Sequence, residues 1–135
     1  MNIPDIGPII ILCFILITYL FSAYEKINDW KAQLEFYSKM FQSTFIAKAI
    51  TPVIVFILGL EVIISTLTGL GIWDIIVNES YVFSVYALIA SSILFTMLLF
   101  GLRMVKDYVG SARIAIYFLL SVFGLYWTQS MVSIA

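Results

Sequence analysis

The sequence contains no histidine, one cysteine, three prolines and few charges. Without histidine the chain lacks the usual haem axial ligand, the commonest zinc ligand and the commonest general base. Cys13 alone allows neither an intramolecular disulfide nor a CxxC pair, so thiol–disulfide exchange within one chain is excluded. Charged residues make up 11% of the 135, where a soluble domain carries about 25%. The net charge of −1 gives no electrostatic footprint for nucleic acid. No phosphate-binding glycine loop, metal-ligand spacing or nucleophile–base pairing is present, and catalytic activity of the chain's own is not expected.

What the chain does have is hydrophobicity. Apolar residues make up 63% and aromatics 16%, with a mean hydropathy of +1.10. In water such a composition would expose large apolar patches and aggregate, so lipid is expected to be the solvent for much of the surface. Four apolar runs, at about 8–24, 51–73, 81–102 and 114–130, are each long enough to cross a bilayer as a helix. They predict an all-α membrane protein, a four-transmembrane-helix bundle forming one integral membrane domain. Met1 to Gly7 has no Lys or Arg and no A-x-A-like site follows, so the first run is expected to be a retained span rather than a cleaved signal. Cys13 is expected to pack in it as a small apolar residue.

Between the first two spans the pattern changes. Ile27, Trp30, Leu34, Tyr37, Phe41 and Phe45 recur at spacings of three and four, with Lys31, Glu35 and Lys39 falling between them. That period predicts an interfacial amphipathic helix at about 29–45, with Asn28 or Asp29 as its N-cap. Asp74 to Ser80 reads as a short acidic turn, Arg103 to Arg113 as a polar connection, and Met131 to Ala135 as a tail. Trp73, Tyr126 and Trp127 fit an aromatic belt.

The seven basic residues set the expected orientation. Lys26, Lys31, Lys39 and Lys48 occupy the first connection; Arg103, Lys106 and Arg113 occupy the third. The positive-inside rule puts both connections, and the amphipathic helix with them, on the cytoplasmic side of the membrane. Both termini then face outward.

One ionisable residue lies inside the second run. Glu61 falls ten residues past Thr51, about 15 Å along a helix and so near the middle of a hydrocarbon layer ~30 Å thick. An acidic side chain there is expected to face the bundle interior. At similar depth lie Ser91 and Ser92 on the third span and Ser121 on the fourth, with Tyr19 on the first somewhat nearer the cytoplasm. These five form the candidate polar site. It reads either as a ligand pocket or as a protonated carboxyl that hydrogen-bonds across helices and holds the bundle together. Ala87 and Ser91 form a small-xxx-small pair that lets a neighbouring helix come close. A second group, Glu25, Lys26, Arg103, Lys106 and Asp107, is expected to form a cytoplasmic charge layer. It would set orientation by snorkelling, or grip an anionic head group.

Several stretches resemble the DoxX-like family of small four-helix bacterial membrane proteins. Phe21-Ser22-Ala23-Tyr24-Glu25-Lys26-Ile27 resembles that family's first-helix exit. Gly59-Leu60-Glu61, followed by Gly69-Leu70-Gly71, is similar to its second helix, and Asp107-Tyr108-Val109-Gly110 leading into Ile116-Tyr117-Phe118 resembles the third connection of some members. Glu61 matches the family's acidic position and Lys26 its basic one. Ala23 or Tyr24 stands where the family has glycine, and the paired cysteines of the methylamine-utilisation branch are absent. The resemblance implies association with redox membranes. The expected function is an accessory or structural subunit of a larger membrane complex, in contact with membrane lipid and with other subunits or copies of itself. The alternative is a quinone- or lipid-binding component that uses Glu61, with a bound quinone or phospholipid as its only candidate cofactor. A third reading, a small proton-coupled transporter or channel, lacks the repeats and discontinuous helices such proteins use.

Overall fold

The computed structural model describes residues 3–134. After a 3₁₀ turn at Ile3–Asp5 come five helices: α1 (Ile6–Asn28), α2 (Trp30–Met40), α3 (Ile50–Asn78), α4 (Val82–Met104) and α5 (Tyr108–Ile134). A second 3₁₀ segment, Phe45–Ala49, leads into α3. No strand occurs among the described residues. Helices α1, α3, α4 and α5 are each long and apolar enough to cross a membrane, consistent with a multi-pass membrane protein.

The four long helices form a bundle in which α3 packs between α1 and α4, and α4 between α3 and α5; the contact that closes α1 onto α5 is slighter. Short connections make α3, α4 and α5 alternate in direction. One end of the bundle therefore gathers the C-terminus of α1, all of α2, the start of α3, the end of α4 and the start of α5. This is the α2 end.

The distribution of side chains differs from that of a water-soluble bundle. Hydroxyls go inside: Ser65, Thr68, Ser84, Ser91, Ser111, Ser121 and Thr128 are all buried. Large apolar side chains such as Ile10, Phe21, Phe56, Phe100 and Leu119 are more than half exposed. Lipid tails are as apolar as leucine, so apolar burial does little to hold such helices together; small and hydroxyl side chains do it by close approach and hydrogen bonding. The α3–α4 seam illustrates the close approach. A Cβ on Gly71 would lie 2.8 Å from Ser84 Oγ and 3.1 Å from Ser84 Cα, so only glycine allows the two backbones this close. Ala87 and Ser91 are fully buried. Leu12, Ile15, Ile64, Leu88, Leu94 and Phe95 fill the remaining core.

Several helix ends differ from the expected ones, each for a local reason. Helix α1 runs four residues past Tyr24, because Lys26 turns inward instead of marking a membrane boundary. The expected acidic turn is mostly helix: α3 continues to Asn78, whose side-chain amide donates to Asp74 Oδ1 at 2.9 Å. It stops at Glu79, which adopts a left-handed φ of 53°. The polar connection expected at Arg103 to Arg113 shrinks to Val105, Lys106 and Asp107, with Lys106 at φ 61°. Asp107 begins α5 at once, accepting from the Gly110 amide at 2.9 Å. The expected amphipathic helix at 29–45 ends at Met40, and a turn through Thr44 separates it from α3. Asp29 stands at its N-cap position but makes no side-chain capping bond there. Cys13 lies on the outside of α1, not packed within it. The expected tail from Met131 is helical to Ile134; Met1 and Asn2 of the polar start, and Ala135, lie outside the described residues.

Candidate functional site

Two stripes bring the principal site together. On α3, Ile50, Ile54, Glu61, Ile64, Thr68, Gly71 and Ile75 are buried at spacings of three, four and seven, so Glu61 sits on the face that meets α1 and α4. On α1 the buried stripe is Leu12, Ile15, Tyr19, Ala23 and Lys26. Lys26 thus continues an inward-facing row.

The two charges meet. Lys26 Nζ lies 3.0 Å from Glu61 Oε1 and 3.4 Å from Oε2, and both residues are about 95% buried or more. Ser22, one turn before Lys26, completes the group: its hydroxyl donates to Glu61 Oε1 at 3.0 Å and accepts from Lys26 at 2.8 Å. A buried ion pair offsets the loss of hydration only when hydrogen bonds fill its remaining valences, and Ser22 supplies one to each partner.

Beside this group is a cavity of about 790 Å³ between α2, α3 and α4. Ser22, Lys26 and Glu61 contribute to its wall, with Tyr37 and Phe41 from the α2 side and Ile54, Ile57, Leu98 and Gly101 from the long helices. Phe56, Met97 and Phe100 also line it and are themselves exposed, so its rim reaches the outer surface between α3 and α4. Volume and lining fall in the range of small-molecule sites: mostly apolar walls with a few placed polar groups. The apolar face of α2 packs beside it, with Trp30, Leu34 and Tyr37 against Phe41, Ile50 and Ile54.

The other expected site residues go elsewhere. Tyr19, Ser91 and Ser121 form a separate chain: Tyr19 Oη lies 3.0 Å from Ser91 Oγ, which lies 3.0 Å from Ser121 Oγ. Tyr19 stacks on Phe95 with ring centroids 5.3 Å apart. None of the three bonds to Glu61. Ser92 donates to the Leu88 carbonyl of its own helix at 2.8 Å. The expected charge layer does not assemble as one group either. Lys26 leaves it for Glu61, Asp107 caps α5, and the Arg103 guanidinium lies over the Tyr108 ring at 5.0 Å. Glu25 and Lys106 are exposed.

Sequence reasoning missed the Lys26–Glu61 pair itself and, besides it, two further contacts. Ser22 was legible in principle, because Ser22-x3-Lys26 puts both on one helical face. The other lies at the far end, where the Tyr81 hydroxyl donates to the Asp5 carboxylate, both buried. Burial pushes the Tyr81 phenol above its ordinary value, and the hydrogen bond to Asp5 and its negative charge push it further. The two residues are 76 positions apart, and no spacing signals the pair.

No family model, curated protein or solved structure matches the chain. The geometry therefore stands without a relative to interpret it. It offers a charge-neutral polar group on the wall of an apolar cavity that opens where lipid would be. Such an arrangement can hold the head of an amphiphile and let its tail leave sideways.

Proposed function

We propose that this chain is a small DoxX-like membrane protein that binds a lipid-like ligand, a quinone or a phospholipid, as a component of a membrane redox system. The observation that carries this reading is the 790 Å³ cavity with Lys26, Glu61 and Ser22 on its wall and an exposed aromatic rim. In this reading the bundle sits in the bacterial inner membrane with the α2 end toward the cytoplasm. All seven basic residues support that orientation, since they fall in the connections at that end or on the helix ends beside them. Helix α2 is then the cytoplasmic-side amphipathic helix, with its apolar face on the bundle and Lys31, Glu35 and Lys39 exposed to the head-group layer.

Lipid extraction and mass spectrometry of protein purified in a gentle detergent tests the reading. One amphiphile per chain is expected to co-purify. Ile57→Trp, which fills the cavity, should lose it while keeping the helical content. A chain that co-purifies with no amphiphile, or a filled variant that retains it in full, overturns the reading.

The accessory-subunit reading keeps one observation of its own. Only 17% of the most apolar window of α5 is buried within the chain, against 33% for α1 and α4. Its outer stripe of Ile116, Leu119, Phe123 and Tyr126 is open to a partner helix as well as to lipid. Stoichiometric co-purification of a second polypeptide from native membranes supports this reading, and a homogeneous monomer argues against it.

A further inference from the structure

The polar wall of the cavity has an internal balance that bears on which lipid enters, if the binding reading holds. An ammonium has three donors and no acceptor. Those of Lys26 are directed to Ser22 and to both oxygens of Glu61. The cation therefore already has its anion, held against it inside the protein. A phosphate or carboxylate head seeking Lys26 would have to take the place of the Glu61 carboxylate, which is tethered there and of the same sign. Juxtaposed like charges are a recognised way of rejecting a wrong ligand.

An uncharged head meets no such obstacle. Tyr37 lines the cavity, and its hydroxyl has no hydrogen-bond partner among the described residues. It is available to donate to a carbonyl. Thr96, also on the wall, directs its hydroxyl proton to the Ser92 carbonyl and keeps its lone pairs.

We propose that Glu61 is a selectivity residue: as the resident counter-ion of Lys26 it excludes acidic lipid heads, and the cavity takes an uncharged lipid whose head carries carbonyl oxygens. A quinone and a diacylglycerol share that chemistry. The 790 Å³ space holds the head and the first part of a tail, and the rest leaves past Phe56, Met97 and Phe100.

Trp30 is a built-in reporter, since it packs on the Phe41–Ile50–Ile54 cluster at the cavity, while Trp73 and Trp127 lie toward the opposite end. The test titrates delipidated full-length protein in detergent with three probes and reads tryptophan quenching. The probes are a short-tailed quinone, a chain-brominated diacylglycerol and a chain-brominated phosphatidylglycerol. Saturable quenching by the quinone or the diacylglycerol is expected, and which of the two binds distinguishes the sources. Phosphatidylglycerol should bind about tenfold or more weakly, equivalent to ~1.4 kcal/mol. Glu61→Gln frees the Lys26 charge and should raise phosphatidylglycerol affinity by about tenfold. Lys26→Met/Glu61→Gln, which removes both charges and suits a buried site, should bring the two affinities together. Equal affinities in the wild type, or no gain for phosphatidylglycerol in Glu61→Gln, overturns the proposal. If Glu61→Gln does not fold, a double variant that keeps the wild-type discrimination does the same. Preferential binding of phosphatidylglycerol by the wild type sinks this proposal alone, whereas no binding of any probe sinks the binding reading as well.

Discussion

Near the α2 end a lysine and a glutamate face each other beside open space; about two turns away along α1, three hydroxyls close on one another with none. Lys26, Ser22 and Glu61 border the cavity, whereas Tyr19, Ser91 and Ser121 are wrapped by Phe95, Leu88 and their neighbours. The hydroxyl chain joins α1, α4 and α5 with neutral groups that are inexpensive to bury. The ionic group joins α1 and α3 with full charges that are costly to bury and gain nothing in packing from the adjacent void. The hydroxyl chain leaves α3 untouched and borders no open space, whereas the ionic group ties α3 to α1 and stands on the cavity wall. This contrast is the physical reason to attach function to Glu61 and architecture to Ser91.

The largest effect should come from splitting the ionic pair. Lys26→Met leaves the Glu61 carboxylate buried without its cation and should destabilise the bundle by ~3–5 kcal/mol. Adding Glu61→Gln should recover most of that loss, because the interior then contains no unmatched charge. Thermal unfolding in detergent, followed by circular dichroism, checks both. A single variant as stable as the double would show that Glu61 does not depend on Lys26 and would erase the difference between the two clusters.

How this pair lay in the sequence is instructive. The four spans were legible because membrane hydrocarbon demands long apolar runs, and the structure has four helices where those runs fall. Glu61 stood out because it interrupts one of them. Lys26 did not, although it completes the α1 row at spacings of three and four, because a lysine near a helix end ordinarily snorkels outward. Its inward turn depends on a partner 35 residues away, and Ser22 enters only once that partner is known. Helix ends depart from the expected ones where polar residues act as caps or as i,i+4 pairs: Asp107 and Asp74 secure helix termini. Asp5 and Tyr81 illustrate the other limit, a contact that only the tertiary fold creates.

Glycine sharpens the contrast from the packing side. Gly71→Val would drive a branched side chain into the Ser84 backbone and should cost ~1–3 kcal/mol by overpacking. Gly59, on the same helix nearer the cavity, has nothing within 4 Å of the place a Cβ would occupy. Gly59→Ala should therefore be neutral or stabilising by up to ~1 kcal/mol, from helix propensity alone. Equal responses at the two positions would contradict a tight α3–α4 seam.

The hydroxyl chain should respond more mildly than the ion pair. Tyr19→Phe keeps the ring stacked on Phe95 and removes only the contact to Ser91, an interhelical bond worth ~0.6–1.7 kcal/mol. It should leave ligand retention unchanged, since Tyr19 is not on the cavity wall. A Tyr19→Phe protein that loses its ligand would merge the two clusters into one site.

The smallest effect concerns the contact outside both. Tyr81 lies between α3 and α4, and its phenol is held above the ordinary tyrosine value by burial and by Asp5. Folding thus favours the protonated form. The stability it contributes is complete below the unfolded-state value of about 10 and is lost as pH rises through that value toward the folded one. The hydrogen bond itself should be worth ~0.5–1.5 kcal/mol. Unfolding midpoints measured from pH 8 to 11 should fall more steeply in the wild type than in Tyr81→Phe, which has no phenol to ionise. Parallel curves would mean that the contact with Asp5 does not hold the proton on Tyr81 in the folded protein.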